Sequence, residues 1–120
     1  MNRVVITGIG VVSSLGNDVE TFWNNIINGK IGFDLITLFD TEQFDSKYAA
    51  EVKDIDYTGI SKRDLIFDSR YINFARIAAM QAYKNSRLNE FEFDKDFFGV
   101  YISSSMGGAE KVSEGCELLK

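Results

Sequence analysis

The sequence predicts an α/β fold organised around a parallel β-sheet. Residues 3–7 (R-V-V-I-T) and 97–103 (F-F-G-V-Y-I-S) are apolar runs without polar alternation, as in strands that are buried on both faces. A glycine-rich connection follows the first run, and a helical pattern of apolar residues follows that connection. Strand, tight connection and helix in this order are typical of α/β proteins.

The composition excludes several classes of function. The chain has 120 residues, of which 45% are hydrophobic and 26% are charged, as in one globular domain or part of one. There are 13 Lys and Arg against 18 Asp and Glu, so the net charge is −5, which disfavours nucleic acid as a partner. No apolar run approaches the roughly 20 residues of a membrane-spanning helix. The single cysteine cannot form an internal disulfide, and we expect a cytoplasmic protein.

Residues that usually carry catalysis or bind metals are scarce. Histidine is absent, which removes the commonest general base and the commonest metal ligand. The only cysteine, Cys116, lies close to Glu114 and Glu117, and neighbouring carboxylates oppose formation of a thiolate. We therefore expect no catalytic nucleophile and no metal site in this chain.

The first helix has clear start and stop signals. Asn17 is the predicted cap, and Glu20 follows three residues later, as in a capping box. Gly29 is the predicted left-handed stop. Apolar residues at helical spacing form one face, and we expect Trp23 on this face to pack in the core. The face consists of Val19, Phe22, Trp23, Ile26 and Ile27.

The middle of the chain predicts less regular structure. Residues 35–38 are a candidate extended segment, and residues 47–52 are a candidate strand at the margin of the sheet, with surface loop between them. A short helix is predicted over 62–67, a longer one over 69–87 and a last one over 109–119. The long helix carries a wide apolar stripe that predicts burial on more than one side, and its alanines permit close approach of another element. The stripe consists of Tyr71, Ile72, Phe74, Ala75, Ala78, Ala79, Met80, Ala82 and Tyr83.

Two glycine turns are candidate binding elements. Gly8 and Gly10 form a G-x-G after a predicted strand, but Ser13 stands where a dinucleotide fingerprint needs a third glycine. A nucleotide-binding module therefore stays as an alternative. The turn at 103–108 (S-S-S-M-G-G) has two interpretations: a close-packed turn, which the residues alone favour, or a turn whose Met106 lines an apolar pocket.

Several of these motifs together resemble the β-ketoacyl-[acyl carrier protein] synthases, and most closely the elongating type II enzymes. Residues 3–30 resemble the amino-terminal strand, the T-G-x-G-x-V-S-x-L-G turn and the Trp-containing helix of that family. Four later segments resemble motifs of the same family and occur in the same order along the chain. They are F-D-T at 39–41, A-E-V at 50–52, the alanine-rich helix at 71–82, and the turn at 103–108, which is similar to G-S-G-x-G-G.

The resemblance implies a thiolase-like fold, of which residues 1–120 would be the amino-terminal part of the first half, incomplete as a stand-alone domain. It implies a decarboxylative Claisen condensation in fatty acid or polyketide synthesis, with acyl carrier protein as partner, no cofactor, and a homodimer or a ketosynthase heterodimer. The family's catalytic cysteine and two histidines match no residue here, so the chain alone is expected to be inactive. A chain-length-factor-like partner subunit, which shares the fold without the cysteine, remains a further alternative.

The resemblance also assigns candidate site residues. Met106 occupies the variable position before the paired glycines, and Met106 and Gly107 would line the acyl pocket. Lys62 and Arg63 occupy a helix that docks the acidic carrier protein through basic residues. Two positions in that helix that are often basic in the family carry apolar side chains here, Ile66 and Phe67.

Overall fold

The computed structural model describes residues 3–119. Within this range the chain forms four α-helices, two short 3-10 helices and one two-stranded sheet. The helices are α1 (Val19–Ile27), α2 (Lys62–Phe67), α3 (Arg70–Ser86) and α4 (Ala109–Leu118), and the strands are β1 (Asp34–Leu35) and β2 (Tyr48–Ala49). The 3-10 helices span Leu88–Glu90 and Lys95–Phe97.

The small sheet lies where the two marginal extended segments were predicted. Strands β1 and β2 pair antiparallel, with Asp34 opposite Ala49 and Leu35 opposite Tyr48. The amide of Ile36 continues the pairing by donating to the carbonyl of Lys47 at 2.9 Å. The strand predicted within 47–52 is confirmed at Tyr48–Ala49, whereas β1 overlaps the segment predicted over 35–38 only at Leu35, and each strand is only two residues long.

The predicted parallel sheet is absent from residues 3–119. Neither apolar run, 3–7 or 97–103, forms a strand there, and Phe97 instead ends a 3-10 helix. Val4 is 93% exposed and Tyr101 is 96% exposed. A strand is stable only when its N–H and C=O groups pair with a neighbouring strand. The two runs do not pair with each other, so the strand prediction is not confirmed.

Helix α1 begins one residue later than its predicted cap. Asp18 is the cap, since its carboxylate accepts from the amide of Thr21 at 2.8 Å and from the Thr21 hydroxyl at 2.7 Å. The side-chain NH2 of Asn17 instead donates to the carbonyls of Lys53 and Asp54, and its Oδ1 accepts no hydrogen bond within residues 3–119. The predicted cap was therefore wrong by one position.

The end of α1 confirms the predicted glycine stop. Gly29 has φ +65°, its amide donates to Ile26, and the amide of Lys30 donates to Asn25, which is the Schellman arrangement. The prediction that Trp23 packs in the core was wrong, because Trp23 is 60% exposed and no residue of α1 is buried. Ile26 and Ile27 on this face are also exposed, whereas Val19 and Phe22 are half-buried.

The small core lies on one face of α3. Asn73 is 3% exposed and Ile77 is 7% exposed, and Ser69, just before the helix, is also buried. These three positions are four residues apart and share one side of the helix. The predicted bounds of α3 are confirmed, but burial on several sides is not, since Met80 and Tyr83 are exposed.

Candidate functional site

The turn at residues 103–108, called here the pocket turn, lies directly before α4. Gly108 has φ +86° and caps α4, and its carbonyl accepts from the amides of Lys111 and Val112 at 3.0 and 3.1 Å. Gly107 lies against the ring of Tyr71, since a Cβ added at Gly107 would be 2.7 Å from Cε2 and Cζ of that ring. The turn is therefore close-packed through its glycines, as one of the two interpretations of this motif expected.

The side chain of Met106 points away from this packed side. It is 81% exposed, so residues 3–119 do not enclose it in a pocket. A packed turn and an available apolar side chain are compatible, because Gly107 and Gly108 hold the backbone while Met106 projects outward. The assignment of Met106 and Gly107 to an acyl pocket remains a prediction.

Helix α2 carries the predicted docking residues and is called here the docking helix. The Ser61 hydroxyl caps it by accepting from the amide of Asp64 at 3.1 Å. Lys62 and Arg63 are exposed in its first turn, and neither forms an ion pair with another residue of 3–119. The apolar residues that replace basic ones, Ile66 and Phe67, are also exposed.

Two carboxylates at the docking helix share one cation from α3. The guanidinium of Arg76 lies 3.6 Å from the carboxylate of Asp64 and also contacts that of Asp68. Pairing these carboxylates with Arg76 reduces their repulsion of an acidic partner. Lys62 and Arg63 are thus the cations of this helix that form no ion pair within residues 3–119.

The pocket turn and the docking helix are attached to the same junction between α2 and α3. The carboxylate of Glu110 accepts from the amide of Arg70 at 3.1 Å, and the ammonium of Lys111 donates to the carbonyl of Ile66 at 3.4 Å. No local sequence pattern marks the Glu110 contact, because its two partners are 40 residues apart. The structure thus brings together two predicted sites that the sequence treats separately.

The first glycine motif has a packing role. A Cβ at Gly10 would meet the carbonyl of Ala78 and would lie 2.8 Å from Cβ of Gln81, and a Cβ at Gly8 would lie 2.7 Å from the amide nitrogen of Ser86. The expectation that α3 admits a close neighbour is confirmed.

The amides near this motif are also occupied. Ile9 donates to the side chain of Asn85 at 3.1 Å, and Val11 donates to Gln81 at 3.0 Å. A phosphate group would need free amides at such a turn. The nucleotide-binding alternative is therefore not favoured.

Four carboxylates have pKa values below their ordinary range because hydrogen bonds stabilise the ionised form. The Thr37 hydroxyl lowers the pKa of Glu51 most, followed by the Thr37 amide. Amide and hydroxyl of Thr21 lower the pKa of Asp18, and the Thr58 hydroxyl lowers that of Asp56. For Glu110 the largest cause is its own backbone amide, followed by the amide of Arg70. None of these groups is a member of a candidate acid–base pair, since each bonds to backbone amides and hydroxyls.

The comparisons with known proteins identify the family. The family model for the β-ketoacyl synthase N-terminal domain matches residues 1–118. The chain belongs to the β-ketoacyl synthase family. The match supports the thiolase-like fold that the sequence resemblance implied for this β-ketoacyl synthase domain.

The curated relatives that this β-ketoacyl synthase domain matches include 3-oxoacyl-[acyl-carrier-protein] synthases. The 3-oxoacyl-[acyl-carrier-protein] synthase 2 of Staphylococcus aureus (strain COL) is 40% identical over 109 residues, which cover 90% of this chain and 26% of the relative. The synthase 2 of Coxiella burnetii is 38% identical over 123 residues, covering 98% of this chain and 28% of the relative. The chain thus spans about a quarter of the length of the curated relatives it matches. Among residues 3–119, no helix has both the length and the apolar character that crossing a bilayer requires.

Proposed function

We propose that this chain is the amino-terminal segment of a 3-oxoacyl-[acyl carrier protein] synthase, an acyltransferase of fatty acid or polyketide synthesis. The observation that carries the proposal is the family match across residues 1–118, together with 40% identity to a synthase of that name. The names of the relatives do not favour a non-catalytic chain-length-factor-like partner.

The family's reaction is a decarboxylative Claisen condensation. A cysteine thiolate takes the acyl group from a carrier thioester and releases the carrier thiol. The malonyl thioester then loses CO₂, and the resulting carbanion attacks the acyl-cysteine thioester, which gives the 3-oxoacyl thioester and frees the cysteine. This chain has no histidine and its cysteine lies outside the family's cysteine motif, so the reacting groups belong to the remainder of the synthase.

The segment contributes binding surfaces and scaffold. Met106 and Gly107 form part of the acyl pocket, and the exposure of Met106 leaves its side chain free to contact an acyl chain. Lys62 and Arg63 dock the acyl carrier protein, and their lack of ion pairs within residues 3–119 supports this role. The synthase acts in the cytoplasm as a homodimer or a ketosynthase heterodimer.

A condensation assay tests this proposal. The full-length protein that carries this segment is mixed with acyl and malonyl carrier thioesters, and CO₂ release and 3-oxoacyl carrier protein are measured. We expect both products from the full-length protein and neither from residues 1–120 alone. A folded full-length protein that forms neither product refutes the proposal.

A further inference from the structure

The first turn of α3 receives no hydrogen bond from the side chain of its N-cap residue. Ser69 stands at the cap position, yet its side chain makes no capping hydrogen bond to the helix. The first amides of a helix have no partner within the helix, and a buried end without substitutes is costly. Ser69 is 5% exposed and Arg70 is half-buried, so this end is partly shielded from water.

Glu110, the second residue of α4, supplies the missing acceptor. Its carboxylate accepts from the amide of Arg70, the first residue of α3, at 3.1 Å. A negative charge at this end also interacts favourably with the helix dipole. The pKa of Glu110 is lowered by its own amide first and by the Arg70 amide next, so the anchoring carboxylate is ionised at neutral pH.

The pocket turn also packs against the start of α3. A Cβ at Gly108 would lie 3.3 Å from the Ser69 hydroxyl oxygen, and Gly107 lies against Tyr71. The turn is therefore held between the glycine contacts on one side and the Glu110 anchor on the other. Met106 is four residues before Glu110 and directly before Gly107, so its backbone position depends on both.

From this geometry we infer that Glu110 is a positioning residue of the acyl pocket. Its carboxylate joins α4 to the first turn of α3 and thereby fixes the backbone from which Met106 projects. The inference rests on the proposed function, because it takes Met106 to contact the acyl chain. By this inference, Glu110 does not contact the substrate, yet it influences which acyl lengths the pocket accepts.

The test compares acyl-length preference in the full-length synthase. Glu110→Ala removes the acceptor, Glu110→Gln keeps an acceptor oxygen without the charge, and Glu114→Gln is the matched control one turn along α4, where Glu114 contacts only Lys111. We expect Glu110→Ala to change the kcat/KM ratio between long and short acyl carriers by about tenfold, the size of one lost charged hydrogen bond. Glu110→Gln should restore part of this ratio, and the control should leave it unchanged.

The same substitution in a Met106→Ala synthase distinguishes a positioning role of Glu110 from a general effect on stability. If Glu110 acts through Met106, Glu110→Ala in a Met106→Ala synthase changes the ratio no further. An equal loss of kcat/KM for every acyl length overturns the inference, because it indicates a structural role only. A full additional change in the Met106→Ala background overturns it as well.

Hydrogen exchange tests the anchor without using activity. Exchange at residues 69–72 should be faster in Glu110→Ala than in the unmodified synthase and the Glu114→Gln control. Unchanged exchange refutes the anchor. If the unmodified synthase performs no condensation, the proposed function fails instead, and the exchange result still decides whether Glu110 holds the turn.

Discussion

The contact between Gly10 and α3 predicts that Gly10→Ala lowers the thermal stability of the protein. Gly115→Ala, at a glycine without such a contact, should raise it. In Gly10→Ala the added Cβ meets the carbonyl oxygen of Ala78 and comes within 2.9 Å of its carbonyl carbon and 2.8 Å of Cβ of Gln81. These are mainly helix backbone atoms, which cannot move aside as a flexible side chain does. Gly115→Ala is the matched control, because nothing lies within 4 Å of its added Cβ in the interior of α4.

The expected magnitudes follow from packing and helix propensity. Forcing a methyl group into a filled site costs about 1–3 kcal/mol, whereas alanine in place of an interior helix glycine stabilises by roughly 0.5–1 kcal/mol. In a domain of 150–250 residues each kcal/mol moves the thermal midpoint by about 2–4 °C. Gly10→Ala should therefore lower the midpoint by roughly 2–12 °C, and Gly115→Ala should raise it slightly.

Thermal denaturation of the full-length synthase, followed by circular dichroism, measures both variants. A crystal structure of Gly10→Ala would show residues 8–11 displaced from α3. A midpoint for Gly10→Ala equal to or above that of the unmodified protein would refute the close contact, and with it the packing explanation of the G-x-G motif.

Three further predictions concern charge, pH and completeness. Joint replacement of Lys62 and Arg63 by alanine should raise KM for the acyl carrier protein several-fold at low salt with little change in kcat, whereas Lys84→Ala, in the last turn of α3, should change neither. Glu51 has a folded-state pKa below its ordinary 4.5, so its stabilising contribution is complete above pH 4.5 and is lost as the pH falls through the folded value. Glu51→Gln should therefore flatten the fall of the thermal midpoint in acid, and an unchanged pH profile would contradict this. Residues 1–120 alone should bind a hydrophobic dye and show no cooperative thermal transition, because large apolar side chains stay exposed; a sharp transition from a monomer would contradict this.

Much of the local structure followed from the sequence. Gly29 ends α1 as predicted, and α3 and α4 lie within a residue of their predicted bounds. A helix closes its hydrogen bonds and its caps within about four residues. The information needed to place these elements is therefore local.

The candidate sites were only partly predictable. The quoted motifs proposed the pocket turn and the docking helix as sites, and the family match covers both segments. The pairing of Arg76 with Asp64 and Asp68, which leaves Lys62 and Arg63 unpaired, could not be read from spacing. Ion pairs between different helices depend on how the helices pack, and no periodicity in one segment encodes this.

The sequence by itself determined the helices, the glycine turns and the family, because each depends on neighbouring residues or on an ordered set of motifs. Only the tertiary structure decided that the Asn17 side chain donates to Lys53 and Asp54, and that Glu110 caps α3 across 40 residues. It also decided that the two apolar runs, 3–7 and 97–103, which were predicted as strands, remain unpaired within residues 3–119. The physical reason is the same in each case: a hydrogen bond to a distant residue forms only where the fold brings that residue within reach.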